Sequence, residues 1–362
     1  MKNKSFRAET KERGNIVLKN LKKDCYNSFC SHIYVETKAF AYPRTKQILS
    51  HFPHAEIIEI HHYKDVFCRR KQNFELQHAA QNIILAVKSG TLIYPGAPVC
   101  QNFGNDNFYY TSCIMNCIYN CEYCYLKGMY PSGMLVVFVN LEDILDETRA
   151  LLRRHPVYLC VSYDTDLAAL DSVTGYIKEW ICFVHERNDL TIEIRTKCAN
   201  LPFESWEPLK RAVFAFTLSP QAVIDACEHG TASLPQRISC AAKAIELGFS
   251  VRLCFDPMLY CRNWKMQYDE MLQSVFSEID AHKILDISVG TFRVSQDYLK
   301  KMRKQQPYSA VVQFPYENMG GVYRYPGGLA EEMERFLTDR LHAYVPAERI
   351  FLWKEKEEVE HV

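Results

Sequence analysis

The sequence has no run of 18 apolar residues, so no membrane span is expected. No apolar stretch follows the charged start Met1-Lys-Asn-Lys-Ser-Phe-Arg, which therefore does not read as a secretory signal. Repeats and low-complexity segments are absent, which excludes a repeat architecture. Net charge is absent too: 43 Lys and Arg balance 43 Asp and Glu. That argues against a uniformly basic surface that binds polyanions without regard to sequence. Local basic runs remain, at Arg69-Arg70-Lys71 and Lys300 to Lys304, and read as solvated helix faces. Cysteine, by contrast, is plentiful. Fifteen cysteines without a leader favour a reducing cytosol over a disulfide framework. Several stand singly in apolar patterns (Cys182, Cys240, Cys254) and read as core thiols.

Three cysteines are grouped, in Cys117-Ile-Tyr-Asn-Cys121-Glu-Tyr-Cys124. Thiolates select zinc, Cu(I) or iron–sulfur clusters. A C-x₃-C-x₂-C run can hold three irons of a cubane and leave the fourth open to a cofactor. Cys113 lies four residues upstream and could complete a Cys₄ zinc site, so a non-enzymatic zinc-binding module for nucleic acid stands as an alternative.

The chain divides into an N-terminal extension (1–30) with a faint helical apolar trace, a small α/β region (31–104), a regular βα segment (105–300) and a C-terminal region (301–362) ending in a mixed-charge tail. Strands are expected at 32–36, 56–60, 82–88, 108–111, 134–139, 157–162, 190–195, 212–217, 249–255 and 284–289, and helices at about 40–52, 140–154, 171–187, 233–247 and 266–280. Strands alternating with helices argue a parallel sheet. The strand count falls short of eight, which predicts an α/β fold with a partial, open (β/α)₆ barrel.

The loop and this pattern resemble the radical S-adenosylmethionine (SAM) superfamily. Residues from about 32 to 330 more closely resemble the spore photoproduct lyase family. The stretches that carry this are Cys117 to Leu126, Phe138 to Ile144, Ser162-x₃-Asp166-x₇-Thr174-Gly175, Thr196-Lys197, Phe214 to Ser219, Glu228-x-Gly-Thr-x-Ser233 and Gly321-x-Tyr323-x-Tyr325-Pro326. The resemblance implies a radical SAM carbon–carbon lyase that repairs DNA. It would reverse the UV thymine dimer 5-thyminyl-5,6-dihydrothymine to two thymines through a 5′-deoxyadenosyl radical. It implies a [4Fe–4S] cluster on Cys117, Cys121 and Cys124, with SAM contacted by Thr165, Lys197 and Thr217. Tyr123 and Tyr125 match two family tyrosines. Tyr323, Arg324 and Tyr325 fall in a lesion-binding region, read here as a hairpin projecting between Gly320-Gly321 and Gly327-Gly328. The implied partners are double-stranded DNA carrying the dimer and a low-potential electron donor such as ferredoxin or flavodoxin. The implied location is cytoplasmic, in the spore core or germinating cell.

One departure stands out. Where the family has the cysteine that returns a hydrogen atom to the product radical, this chain has Tyr163. Cys160 is three positions away and, if the strand continues, faces the opposite side. Tyr163 is therefore either the donor or a sign that a radical SAM enzyme of this architecture acts on another nucleic-acid or peptide substrate.

Overall fold

The computed structural model describes residues 30–97 and 100–353. The expected helix within residues 1–30 and the charged tail from Lys354 lie outside the described residues. Among the described residues, no helix is long and apolar enough to cross a membrane.

Two sheets organise the chain. The larger has eight strands in the spatial order Ile350–Leu352, Asp286–Thr291, Ser250–Met258, Ala212–Thr217, Leu190–Thr196, Val157–Cys160, Phe108–Thr111 and Ile93–Pro95. The six strands from Phe108 to Thr291 run parallel and adjacent in chain order. They form the expected partial (β/α)₆ barrel. Ile350–Leu352 adds a further parallel strand at one edge, and Ile93–Pro95 an antiparallel one at the other. The two edges do not pair with each other, so the barrel is open. The loop before Phe108 reaches across the gap: Gln101 donates to the Leu352 carbonyl at 2.9 Å, and Phe103 meets Phe351 edge-on.

Burial follows from this topology. Parallel strands covered on both faces read as continuous apolar runs, and Ala212–Thr217 is buried at every position. Arg252 bridges Glu193, Asp286 and the Tyr158 hydroxyl, with its guanidinium 3.2 Å from the Phe103 ring centroid.

The smaller sheet has the order Glu56–Ile60, His32–Glu36, Ile83–Ala86, Leu135–Phe138 and Ile114–Met115. Here the structure corrects the sequence reading. The strand at 134–139 was expected among the barrel strands, yet it pairs in parallel with Ile83–Ala86. Its apolar run satisfies any buried sheet, so periodicity cannot say which sheet it joins. The helix expected over 171–187 is also broken, into Asp171–Thr174 and Tyr176–His185. Gly175 adopts φ +67°, a left-handed conformation that ends the first piece.

Asp171 is buried near this break, with Oδ1 accepting from the Ile177 N–H at 2.7 Å. Burial pushes its carboxyl up to about 6, from an ordinary 3.8. The native state therefore binds this proton more tightly than the unfolded chain. Asp171 costs stability at neutral pH, and the cost fades as pH falls through 6 towards 4. Asp171→Asn keeps the Oδ1 acceptor and is expected to raise stability by about 2–3 kcal/mol at pH 8. The gain should vanish below about pH 4, as read from urea midpoints across pH.

Candidate active site

The cysteine run leaves the first barrel strand and crosses between the two sheets. Ile114–Met115 pairs with Leu135–Phe138, and Asn116 then turns the chain at φ +70°. The Cys117 carbonyl accepts from Gln81 Nε2 at 3.1 Å and lies 3.0 Å from His78 Nε2. The Tyr119 N–H points at Cys117 Sγ, 3.4 Å away, a donor suited to a thiolate. Asn120–Cys121 then forms a two-residue antiparallel ladder with Glu228–His229, placing Cys121 opposite Glu228. Cys124 follows, its N–H bonded to the Cys121 carbonyl at 3.2 Å. The helix Leu126–Met129 closes the run against the helix Gln296–Gln305. A Cβ on Gly128 would stand 2.6 Å from the Tyr298 backbone. Gly128→Ala is therefore expected to part these helices and cost about 1–3 kcal/mol, measured by urea denaturation.

Cys117 feels both Cys124 and Cys121, and Cys121 feels Cys124, so the three lie within electrostatic reach of one another. Burial pushes the Cys121 thiol up to about 12 and Cys117 well above its ordinary range. Unliganded, they hold their protons; only a bound cation would draw them off. Among the described residues, no three Cys, His, Asp or Glu side chains converge as tightly as a single ion requires. Cys113 is not brought to the group. Its thiol is buried with Lys88, Arg44 and Glu179 as charged neighbours, beside Trp180. The Cys₄ arrangement considered from sequence therefore lacks its fourth ligand.

The expected SAM-contacting residues stand on the C-terminal ends of adjacent barrel strands, where such sheets bind ligands. Thr217 ends one strand and Lys197 follows another. Asp166 fixes Lys197 in place. Its carboxylate accepts from the Lys197 N–H at 2.6 Å and the Thr196 hydroxyl at 2.7 Å. The Lys197 ammonium lies 5.5 Å from the Tyr123 ring centroid. Burial alone would lower its proton affinity, but Cys121, once its proton is drawn off, and the Glu228 carboxylate raise it. It stays a cation beside the cysteine group. Thr165 Oγ1 and Asp164 Oδ1 are buried without a hydrogen-bond partner. Such orphans are costly unless a ligand satisfies them, so this rim suits a polar cofactor.

Glu228 ties the parts together. It accepts from the Tyr123 hydroxyl, from Ser219 Oγ at 2.9 Å and from Arg237 Nη2 at 2.5 Å. Arg237, fully buried, also donates to the Thr217 carbonyl at 3.0 Å and to Thr231 Oγ1 at 2.6 Å. One carboxylate–guanidinium pair thus supports the cysteine loop, Tyr123 and the Thr217 strand end.

A spore photoproduct lyase family profile matches residues 29–350. This chain belongs to the spore photoproduct lyase family. Curated spore photoproduct lyases include that of Clostridium acetobutylicum, 23% identical over 245 residues (64% of this chain, 72% of the relative), and that of Bacillus subtilis, 22% identical over 283 residues (75% and 80%). A solved spore photoproduct lyase complexed with dinucleoside spore photoproduct superposes with a TM-score of 0.76 at 17% identity, covering 90% of this chain and 98% of that one. A mutant of a solved spore photoproduct lyase, with bound AdoMet and dinucleoside spore photoproduct, gives 0.74 at 18% identity over the same shares. At these identities the likeness establishes the fold.

Within this family frame, the remaining expected site residues separate. Tyr125 donates to the Tyr163 carbonyl at 2.7 Å, and Tyr163 stacks on Tyr110 with ring centroids 4.0 Å apart. Tyr123 turns instead towards Glu228. The strand Val157–Cys160 ends before Tyr163, so strict alternation does not extend to it. Val322–Arg324 is the middle strand of a three-stranded antiparallel sheet, and Gly320 and Gly321 turn the hairpin with positive φ. Tyr323 is half-buried, with Arg303 over its ring, and Arg324 lies near Glu331. Tyr325 corrects the expectation. It is 3% exposed, packs among Phe314, Tyr316 and Tyr260, and its hydroxyl accepts from the Tyr260 N–H at 2.9 Å. It supports the hairpin from within and offers no face to a base. Glu228, Arg237 and Asp164 were not singled out as site residues. Glu228 stood inside a quoted motif, but its role depends on pairing with Cys121, which spacing does not reveal.

Proposed function

We propose that this chain reverses 5-thyminyl-5,6-dihydrothymine in DNA to two thymines, with a [4Fe–4S] cluster held by Cys117, Cys121 and Cys124 and SAM contacted by Thr165, Lys197 and Thr217. What supports this reading is the Lys197 cation beside Cys121 and the orphaned Thr165 hydroxyl at the barrel strand ends, next to the three-cysteine loop, in a chain of this family. Bound there, the reduced cluster and SAM would supply a carbon-centred radical that takes a hydrogen atom from the lesion. The protein's share is placement. Lys197 meets the cofactor carboxylate, Asp166 and Glu228 hold that lysine and the cysteine loop in register, and Tyr123 shields the cluster side. Tyr323 and Arg324 on the hairpin are the proposed DNA contacts. A cross-linked thymine pair is poorly held by the duplex, so extruding it costs less than flipping normal bases. Double-stranded DNA carrying the lesion, a low-potential donor such as ferredoxin or flavodoxin, and a cytoplasmic location in the spore core or germinating cell complete the proposal.

The test is incubation of anaerobically reconstituted protein with dithionite, SAM and the synthetic dinucleotide lesion, followed by chromatography. Thymidylyl-thymidine is expected. Cluster-replete protein that cleaves SAM but leaves the lesion intact would instead support the second reading, favoured by Tyr163: the same architecture acting on another nucleic-acid or peptide substrate.

A further inference from the structure

The two basic runs of the sequence end up in different settings. Arg69-Arg70-Lys71 lies in a turn after the helix Lys64–Phe67. Lys300 to Lys304 lies on the helix Gln296–Gln305, which follows directly on the strand Arg293–Ser295. That strand pairs with Val322–Arg324 of the hairpin. The start of the helix is tied to the hairpin turn. The Gln296 N–H donates to the Gly321 carbonyl at 2.9 Å, and Asn318 Nδ2 donates to Gln296 Oε1 at 2.6 Å.

The helix carries one acid, Asp297 in its first turn, against four bases. Arg303 is used inwards, donating to the Val312 and Phe314 carbonyls at 2.8 Å each. Leu299 and Met302 fill the buried side. Lys300, Lys301 and Lys304 are exposed. Among the described residues, the lysines in ion pairs are Lys127, Lys243 and Lys265, and none of these three. Like charges at i, i+4 weaken a helix, a cost that a polyanion lying on it removes. Tyr308 follows, 99% exposed. Its neighbours are anchored. Gln306 Nε2 donates to the Glu122 carbonyl at 2.9 Å, and Ser309 Oγ to the Glu122 carboxylate. Lys127 Nζ donates to Gln306 Oε1 at 3.0 Å. The ring is thus held out in water from a fixed base beside the cysteine loop.

We propose that Lys300, Lys301, Lys304 and Tyr308 form the face that holds the duplex beside the lesion, a deepening of the repair reading on which it rests. Lys300 and Lys304 stand one turn apart, about 6 Å along the helix axis. Each DNA strand presents a phosphate about every 3.4 Å of its own axis. The three ammonium groups therefore meet neighbouring phosphates of one strand, and fix position without reading sequence. Tyr308 supplies an uncharged π-face against the sugars and base edges that the extruded lesion leaves uncovered. The face gives a chain of zero net charge the local cation density that a polyanion needs. An acidic electron-transfer protein would also suit lysines. The bonds that tie this helix to the hairpin turn favour DNA.

The test is the salt dependence of binding to a short lesion-bearing duplex, followed by fluorescence anisotropy with cluster-replete protein. The triple variant Lys300→Gln, Lys301→Gln, Lys304→Gln should flatten the slope of log affinity against log salt by about 2.7, three contacts at about 0.9 each. Its affinity near 0.1 M salt should fall roughly a hundredfold. Tyr308→Ser should weaken binding about fivefold and leave the slope unchanged, since the ring carries no charge. All four side chains are exposed, so both variants should fold as wild type. Both should convert the dinucleotide lesion with dithionite at the wild-type rate, because that substrate has no flanking duplex. Wild-type duplex affinity in either variant overturns the assignment. So does a triple variant that binds duplex normally but turns over slowly when flavodoxin replaces dithionite, which would make this face the donor's dock. Cluster-replete wild-type protein that leaves the dinucleotide lesion intact overturns the repair reading, whereas the salt slope judges this face alone.

Discussion

Replacing Cys121 with Ala is expected to abolish turnover and to strip iron from the reconstituted protein, while leaving the apoprotein folded. The two halves of that expectation come from different physics. Cys121 is buried, and its thiol behaves as a small apolar group whose proton is held tightly. Losing one sulfur there is a modest truncation, about 1 kcal/mol. The backbone ladder to Glu228 uses no side chain of Cys121, so it survives. Cluster assembly has no such tolerance, since all three thiols must surrender protons to the metal together. Cys117→Ala and Cys124→Ala should behave alike. Iron and sulfide content, the brown visible absorption and product chromatography check this together. A variant with wild-type iron and wild-type yield would show that the assignment of ligands is wrong.

Arg237→Met should carry the largest stability loss, about 3–5 kcal/mol at neutral pH. The substitution keeps the apolar stem but leaves the Glu228 carboxylate buried without its ion-pair partner, with only the more distant Lys197 charge to offset it. Tyr123 and Ser219 still donate to it, yet neither carries charge. The pH dependence is specific. Burial alone would raise the Glu228 pKa, but Arg237 and Lys197 reverse this and hold it below the ordinary 4.5. The pair's contribution is therefore full above about pH 4.5 and is lost as pH falls through the depressed native value. The gap between wild type and variant should narrow in acid. Adding Glu228→Gln to Arg237→Met should restore part of the loss, because no unpaired charge then remains. Urea midpoints at pH 7 and pH 4 report all of this. A neutral-pH difference under about 1 kcal/mol, the worth of an exposed pair, would mean that the carboxylate is hydrated rather than enclosed.

The barrel was legible because six parallel strands separated by helices leave a local pattern: short apolar runs, then amphipathic stretches with caps. Ser233 and Gln236 form the capping box that starts the helix Leu234–Glu246, and Gly248 ends it at φ +92°. The grouping of the three cysteines was legible because it is local too. What sequence hid was long-range. Leu135–Phe138 has the apolar run of any buried strand, and only pairing decides its sheet. Tyr323 and Tyr325 look equivalent in a hairpin, but one lies within the strand and the other in the core beneath. Tyr125 and Tyr163 are 38 residues apart, and no spacing rule connects them. Glu228 and Arg237 have the nine-residue separation of any two charged residues. Their partnership emerges only when both enter an enclosed space between a strand end and the cysteine loop.

The smaller sheet takes its last two strands from beyond residue 104, on either side of the cysteines. A shortened gene starting at residue 105 would leave Leu135–Phe138 with a bare edge where Ile83–Ala86 now lies, and would remove the Gln81 and His78 contacts to Cys117. The segment ahead of the barrel is thus no detachable module, and truncation there should give insoluble or iron-free material rather than a minimal catalytic fragment.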